Sequence, residues 1–396
     1  MKTDCWPESK LGDFLEIRHG YAFQGEYFSN AGTHIVLTPG NFYDEGGFKH
    51  KSDKEKWYTG PIPSDYVLKE GDLIIAMTEQ AEGLLGSSAL ISRSGIYLHN
   101  QRLGLVQVRD EKKADKRFLY YLFNSKSVRQ QIRASASGTK VRHTAPARIA
   151  DVNVRIPPLP LQRRIAGILS AYDDLIENNQ RRIKILEEMA RSLYREWFVN
   201  FRFPGHEKVP RVDSPLGPIP KGWRVGRLDE VVVLQRGFDL PKSNRIEGTV
   251  PIFAATGVTG FHIEAKVKAP GIVTGRSGTI GDVLYVQEDF WPLNTTLWVK
   301  DFPHAEPLYA YYVLSSLDLK QFNSGAAVPT LNRNDIHGFD TLIPPLPLQK
   351  KFQEIAGAIH AQTRTLDLQV QNLCRTRDLL LPRLVSGLAC LSSTEA

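Results

Sequence analysis

Cysteine is scarce in this chain of 396 residues. The three cysteines, Cys5, Cys374 and Cys390, lie far apart and none belongs to a C-x-x-C pair. Sparse, scattered cysteines indicate neither a disulfide framework nor a zinc site, and they are typical of proteins of the reducing cytoplasm. We therefore expect no metal site on this chain and a cytoplasmic location.

Long apolar runs are missing as well. No stretch of 18 apolar residues occurs and no basic-then-apolar leader opens the sequence. We therefore expect neither a membrane span nor a secretory signal. The net charge of +7, with a pI near 9.1, indicates an anionic partner only modestly, because no long basic arm is present.

Known catalytic motifs are also absent from the sequence. It has no GxxxxGK[ST], HExxH or GxSxG motif, and its ten histidines are scattered singly. Gly275, Gly278 and Gly281 could be mistaken for a phosphate loop, but a strand-like VLYVQ follows them, so we interpret them as a turn. We expect no catalytic residue here.

The strongest feature present is a duplication. The sequence IPPLPLQ occurs at residues 156–162 and again at 343–349. The offset between these two copies also relates four further matches: Ser137 with Ser324, Gly138 with Gly325, Val141 with Val328, and Ile149 with Ile336. The chain therefore consists of two rounds of one plan, a globular stretch followed by a helical one.

The helical stretches carry a heptad pattern. Apolar residues spaced by four and three predict a helix over residues 162–198 with one long seam. The prolines before it are expected to exclude helix there, and Pro382 is expected to end a second helix over residues 349–381. Asn179 is either a polar seam residue that fixes register or a residue at the helix edge. The predicted seam positions are Ile165, Leu169, Tyr172, Ile176, Asn179, Ile183, Leu186, Ala190, Leu193 and Trp197.

Each globular stretch has similar local elements. Short apolar runs at residues 71–78, 103–109, 271–276 and 296–301 predict buried strands. Tyrosine-rich helices are predicted from Arg117 and from Pro307, with their tyrosines in the core rather than stacked on bases. Residues 48–66, charged and then proline-rich, are expected to form a long surface loop that only the first globule carries.

These features together resemble the specificity subunit of type I restriction-modification enzymes. The resemblance covers essentially the whole chain: two globules and two helices in that order, the duplicated IPPLPLQ, the SG…V…I block before each copy, GDLIIAMT and GIVTGRSGTIGD. The helix text DDLIENNQRRIKILEEMARSLYREWF is especially close to the central conserved region of that family. The second helix is less regular than the first, which leaves its packing surface less defined.

The resemblance implies an α+β fold in which two mixed α/β target-recognition domains are separated by two long antiparallel helices, an intramolecular coiled coil with pseudo-two-fold symmetry. The implied domains are residues 1–155 and 201–342, and the implied spacer helices are residues 156–200 and 343–396, the latter with the C-terminal tail.

The implied function is the reading of an asymmetric bipartite sequence in double-stranded DNA, one half per domain. Two modification subunits would methylate adenine with S-adenosylmethionine, and restriction subunits would use ATP and Mg. This chain would hold no cofactor. The family's methylating subunits carry Asn/Asp-Pro-Pro-aromatic, whereas here an isoleucine precedes each Pro-Pro pair.

Candidate DNA contacts are polar residues at strand ends and in loops. Arginine can hold guanine with two hydrogen bonds and asparagine or glutamine can hold adenine, whereas lysine and serine more often bind phosphate. The alternative interpretation of these residues is ordinary solvated loop positions, and the alternative function is a coiled-coil interaction scaffold that reads no DNA. The candidates are Thr78, Gln80, Lys140, Arg142 and His143 in the first globule, and Arg276, Ser277, Asn332 and Arg333 in the second.

Overall fold

The computed structural model of the chain describes residues 6–51, 54–80, 83–325 and 327–386. It divides into two compact units. The first contains residues 1–178 and 370–396, and the second contains residues 179–369. The division falls inside both long helices, so each unit consists of one globule, a segment of the first long helix and a segment of the second.

The globule of the first unit is built on a four-stranded antiparallel sheet in the order β2-β10-β6-β8. A smaller sheet has the order β3-β5-β4-β9, and β1 pairs with β12 and β7 with β11. All four residues of β6 are buried, as expected for an apolar strand covered on both faces. The strands are β1 Glu8–Lys10, β2 Leu15–His19, β3 Phe28–Ser29, β4 His34–Val36, β5 Trp57–Tyr58, β6 Leu73–Ala76, β7 Thr78–Glu79, β8 Ser88–Leu90, β9 Tyr97–Leu98, β10 Leu103–Val108, β11 Arg142–His143 and β12 Asn153–Arg155. The helices are α1 Lys116–Phe123, α2 Lys126–Ala134 and α3 Pro146–Ala150.

The long helix that follows, α4, spans Leu159–Tyr194 and ends in a π-helical turn, Arg195–Val199. It crosses the boundary between the two units, and its last residues pack in the core of the second.

The globule of the second unit repeats this plan. Its main antiparallel sheet has the order β16-β22-β19-β20, with a three-stranded sheet β18-β17-β21 beside it and the pairs β13–β14 and β15–β23. The strands are β13 Arg211–Val212, β14 Ile219–Pro220, β15 Arg224–Arg227, β16 Val233–Arg236, β17 Val250–Ala254, β18 Gly257–His262, β19 Gly271–Gly275, β20 Val283–Val286, β21 Trp291–Pro292, β22 Thr296–Asp301 and β23 Asp340–Ile343. The helices are α5 Pro307–Ser316, α6 Arg333–His337 and the second long helix, α7 Leu346–Val385.

The two long helices run antiparallel within each unit. In the second unit Asn179 donates to Gln369 at 3.2 Å, and the ring of Trp197 contacts that of Phe352, so rising numbers in α4 meet falling numbers in α7. In the first unit Arg377 of α7 pairs with Asp173 of α4 at 2.7 Å. The mixed α/β globules and the antiparallel helix pair confirm the expected fold class.

The heptad seam is confirmed by burial. None of the ten predicted seam positions of α4 is exposed. Ile165 and Leu169 share the first unit's core with Leu384. Asn179 is buried and hydrogen-bonded to the opposite helix, so it is a polar seam residue and not a residue of the helix edge.

Three helix boundaries differ from the sequence prediction. Pro160 does not exclude helix: α4 already begins at Leu159, where the first amides of a helix have no intrahelical partner and a proline costs little. Pro382 does not end α7, which continues to Val385 because Leu384 and Val385 are buried in the core of the first unit. The tyrosine-rich stretch from Arg117 is not one helix but two, broken between α1 and α2.

The expected loop over residues 48–66 is also partly wrong. Trp57 and Tyr58 form β5, which pairs with β3 and β4, and Tyr58 is buried among aromatic rings. The core assignment of the tyrosines of α1 and α5 is confirmed for Tyr121 and Tyr312, which are buried, whereas Tyr120 and Tyr311 are half-buried and pack against the two cores. The turn interpretation of the glycine triplet is confirmed as well, because strand β20 follows it.

Candidate nucleic-acid interface

Two loops that are well separated in the sequence meet in the first unit. Thr78 lies in β7, which follows the buried strand β6, and Arg142 and His143 form β11. The two short strands pair antiparallel, with His143 opposite Thr78 and Arg142 opposite Glu79. The structure therefore brings the two groups of predicted residues of the first globule together. We call the place where residues 78–80 meet residues 137–143 the loop junction of the first unit.

The side chains at this junction differ in exposure. Gln80, Lys140, Arg142 and His143 are exposed. Thr78 is only 8% exposed, so it contributes to the site mainly through the backbone ladder. The surface that this loop pair offers to solvent thus consists of two cations, an imidazole and an amide, groups that bind phosphate and base edges.

A tight turn shapes the loop that carries the cations. Ser137 and His143 exchange backbone hydrogen bonds of 3.0 and 2.8 Å and close the residues between them. Gly138 has φ of +96°, and a Cβ there would overlap the carbonyl oxygen of Val141. Only glycine adopts this backbone without strain, which explains the SG…V block of the sequence.

A buried carboxylate and two partly buried arginines stabilise the inner side of the junction. The Glu79 carboxylate is 4% exposed and accepts hydrogen bonds from the backbone of Gly83 and Leu85 at 3.1 and 2.8 Å. Arg129 donates to the Leu85 carbonyl at 2.9 Å, and Arg133 lies 3.8 Å from Glu79. None of these residues is among the contacts predicted from the sequence. The one signal for Glu79 is its place directly after a buried strand, where a carboxylate needs partners.

The second unit has the same arrangement. Ser277 follows β19 and pairs antiparallel with Thr330, and Leu331 donates its amide to the Arg276 carbonyl at 2.8 Å. Ser324 donates to the Thr330 carbonyl at 2.9 Å, as Ser137 does to His143. A Cβ on Gly325 would overlap the Val328 carbonyl oxygen, which repeats the close approach at Gly138 but not its left-handed φ. The loop junction is therefore part of the duplicated frame.

The predicted residues of the second unit have mixed roles. The Arg276 guanidinium donates to the Asn294 carbonyl at 3.2 Å and is only partly exposed. Asn332 caps α6, because its side-chain oxygen accepts the amide of Asn334 at 3.1 Å. Arg333, the first residue of α6, is exposed.

Two buried hydroxyls near these junctions were not predicted. The hydroxyls of Thr144 and Thr295 have no hydrogen-bond partner among the residues that the structure describes. Thr144 follows β11, and the Thr295 carbonyl accepts the amides of Arg276 and Ser277 at 2.8 and 3.2 Å. Both hydroxyl oxygens are buried, so neither adds to the exposed polar surface of its junction.

Within the described ranges, no group of three or more histidine, cysteine, aspartate or glutamate side chains is arranged to hold a metal ion. In the same ranges, none of the helices contains an apolar stretch of the length that a lipid bilayer requires.

The chain is similar to known proteins in sequence and in fold. The MjaIX specificity subunit of a type I restriction enzyme from Methanocaldococcus jannaschii is 28% identical over 294 residues, which cover 68% of this chain and 68% of its own. The EcoBI specificity subunit from Escherichia coli is 21% identical over 415 residues, which cover 95% of this chain and 84% of its own. The crystal structure of a type I restriction-modification S subunit from M. genitalium has the same fold, with a TM-score of 0.68 at 18% identity and 96% coverage of both chains.

A family model matches both units. The model, described as the type I restriction modification DNA specificity domain, covers residues 4–188 and 220–371. The match includes both loop junctions and most of both long helices. The chain therefore belongs to the type I restriction-modification DNA specificity domain family.

Proposed function

We propose that this chain is the DNA-recognition subunit of a type I restriction-modification enzyme. Each globule reads one half of a bipartite target through its loop junction, with residues 1–155 and 201–342 as the two recognition domains. The chain itself catalyses nothing, and it directs enzymes that act in the cytoplasm.

One observation carries the proposal: the two junctions share a backbone frame but differ in their side chains. At the offset that relates the two IPPLPLQ copies, Lys140, Arg142 and His143 of the first unit correspond to Ala327, Pro329 and Thr330 of the second. A common frame with different side chains is what two readers of different sequences require, because the base contacts and not the frame specify the sequence. The target should therefore be asymmetric.

The candidate contacts divide by chemistry. Arg142 and Arg276 suit guanine, and Gln80 and Asn332 suit adenine. Lys140 and Ser277 suit phosphate, which sets affinity but not sequence. His143 extends the polar surface of the first unit's junction, and Arg333 extends that of the second unit's junction.

The reactions belong to partner subunits. Two modification subunits would methylate adenine with S-adenosylmethionine, and restriction subunits would add ATP- and Mg-dependent cleavage. Docking of such partners is supported by large apolar side chains that point away from the helix seam: Leu175, Ile185, Met189, Ile355, Leu368 and Leu379 are all 47–57% exposed. Ile185 and Met189 lie four residues apart on α4, so these two form an exposed apolar pair on one face of the helix that a partner subunit would cover.

An interaction scaffold without DNA reading is not favoured. A scaffold would need only the long helices, yet the family match spans both globules. Duplicated loop junctions that differ in charge would also have no role in a scaffold.

An exchange of domains tests the proposal. Residues 1–155 are replaced by the corresponding part of a relative with a different target, and the modified adenines are sequenced in cells that also express the modification subunits. We expect one half of the methylated sequence to change while the other half stays the same. The matched control exchanges residues 201–342 and should change only the second half. A pattern that neither exchange alters would contradict the proposed reading role.

A further inference from the structure

The last residue of each IPPLPLQ copy is a glutamine with no exposed surface. Gln162 lies in the first turn of α4, in the first unit. Its side-chain oxygen accepts the amide of Asp115 at 2.8 Å, and its side-chain nitrogen donates to the carbonyls of Lys113 and Pro157, both at 2.8 Å. Both side-chain hydrogens and one oxygen lone pair are thus bonded to backbone.

The second unit repeats these bonds at Gln349. The oxygen of Gln349 accepts the amide of Glu306 at 2.9 Å, and its nitrogen donates to the carbonyls of His304 and Pro344 at 3.1 and 2.8 Å. The two glutamines therefore make the same three contacts, although most residues around them differ between the units.

The contacts join three segments that are separate in sequence. The loop that ends at Asp115 leads into α1, and Asp115 also caps that helix by accepting the amide of Phe118 at 2.9 Å. The second segment is the Pro-Pro turn, and the third is the first turn of the long helix. The glutamine thus fixes the direction in which α4 leaves its globule relative to α1.

A position that only fills space would not need an amide. An apolar side chain of similar volume would bury without the cost of removing polar groups from water. A fully bonded polar group in a core instead specifies one arrangement, since any other leaves its partners unpaired. Because both units have the same fully bonded amide at this place, the direction of each long helix relative to its globule is specified in both.

We propose that Gln162 and Gln349 are positioning residues that fix how α4 and α7 leave their globules, and that they thereby restrict the gap lengths between half-sites that the enzyme accepts. This inference rests on the proposed function. If the helix can pivot at its start, a half-site displaced by one base pair can still meet its reader.

The experiment uses the complex of this chain with its modification subunits. The variant Gln162→Met keeps the volume of the side chain but removes all three hydrogen bonds. Methylation is measured on a DNA library that holds both half-sites constant and varies the gap between them. We expect methylation at gaps one base pair longer or shorter to rise about tenfold relative to the native gap, equivalent to about 1.4 kcal/mol of lost discrimination.

Three controls separate positioning from stability. Gln349→Met should broaden the gap preference in the same way through the second unit. Arg163→Met changes the exposed neighbour of Gln162 and should leave the gap preference unchanged. The melting temperature of each variant reports stability, which a merely structural role would lower without altering the gap preference.

A broadened gap with unchanged half-site sequences supports positioning. An unchanged gap in folded variants overturns it, and so does a loss of base preference without broadening. If Gln162→Met does not fold, Gln162→Leu, a smaller apolar side chain that also removes all three hydrogen bonds, and Gln349→Met replace it. Failure of all three to fold makes the amide a folding requirement and overturns the positioning role. Absence of a bipartite motif with the unaltered chain contradicts the proposed function instead.

Discussion

The turn at Gly138 offers a direct test of how the first loop junction is held. Replacement by alanine places a Cβ on a backbone with φ of +96° and against the carbonyl oxygen of Val141. Gly95 provides a matched control in the same unit, because its φ is +77° and a Cβ there would meet nothing within 4 Å. The two variants share the backbone strain but not the overlap.

The expected costs follow from these two contributions. A left-handed backbone costs a residue other than glycine about 1–2 kcal/mol, which both variants lose. The overlap in G138A also displaces the turn and weakens the two backbone hydrogen bonds between Ser137 and His143, at about 1 kcal/mol each. G138A should therefore lose about 2 kcal/mol more than G95A, equivalent to about 4–8 °C in melting temperature for a unit of this size.

The assay combines thermal unfolding with methylation. We expect G138A to relax the base preference of the half-site read by the first unit and to leave the other half-site unchanged, because β11 carries Arg142 and His143. G95A should leave both half-sites unchanged. Equal melting temperatures for the two variants, together with intact base preference in G138A, would refute this account of the turn.

Three further predictions concern the long helices. D173A should lower the free energy of unfolding by about 1–2 kcal/mol, because it removes the carboxylate that the Tyr121 hydroxyl donates to and leaves Arg377 with Asp378 as its remaining carboxylate partner. The exposed-pair control E188A should cost less than about 0.5 kcal/mol in thermal unfolding. N179L should raise the free energy of unfolding by up to about 1 kcal/mol, since the glutamine that Asn179 bonds to is solvent-exposed and keeps water as a partner. L366N, at the repeat-related buried position, should lower it by about 3 kcal/mol. Chemical denaturation in which N179L destabilises the chain and L366N stabilises it would contradict the seam assignment. Burial lowers the pKa of His360 from 6.5 to about 4, so between those pH values only the unfolded chain binds the proton. The free energy of unfolding should therefore fall by up to about 3 kcal/mol as the pH drops through that window. H360Q should remove this part of the pH dependence of the melting temperature, and an unchanged profile in H360Q would contradict the assignment to His360.

The duplicated frame and the helix seam were predictable because both are periodic. One fixed offset relates the copies, and the spacing of four and three marks the seam regardless of what packs on it. The seam prediction therefore held for the whole of α4, including its polar member Asn179.

Helix ends were less predictable because tertiary burial can outweigh local preference. Pro382 has no amide to donate, yet α7 continues past it since Leu384 and Val385 gain more by burial than one hydrogen bond costs. Pro160 is accommodated for a different reason: the first amides of a helix have no intrahelical partner, so a proline in the first turn costs no hydrogen bond. A sequence pattern shows the preference but not the burial that competes with it.

The candidate site was predicted in its parts but not in its assembly. The strand ends and the SG…V blocks marked the loops, but nothing local in the sequence shows that His143 lies opposite Thr78. The buried carboxylate of Glu79 was missed for the same reason, because its partners come from separate segments of the chain.

The central claim is that two unlike readers on one chain define a bipartite target. The most direct measurement is the sequencing of modified adenines in cells that express this chain together with modification subunits of a type I enzyme, compared with cells that lack the chain. We predict one asymmetric motif, two different half-sites separated by a nonspecific gap of constant length, that appears only when the chain is present. A palindromic or uninterrupted motif, or one that persists without the chain, would contradict the claim.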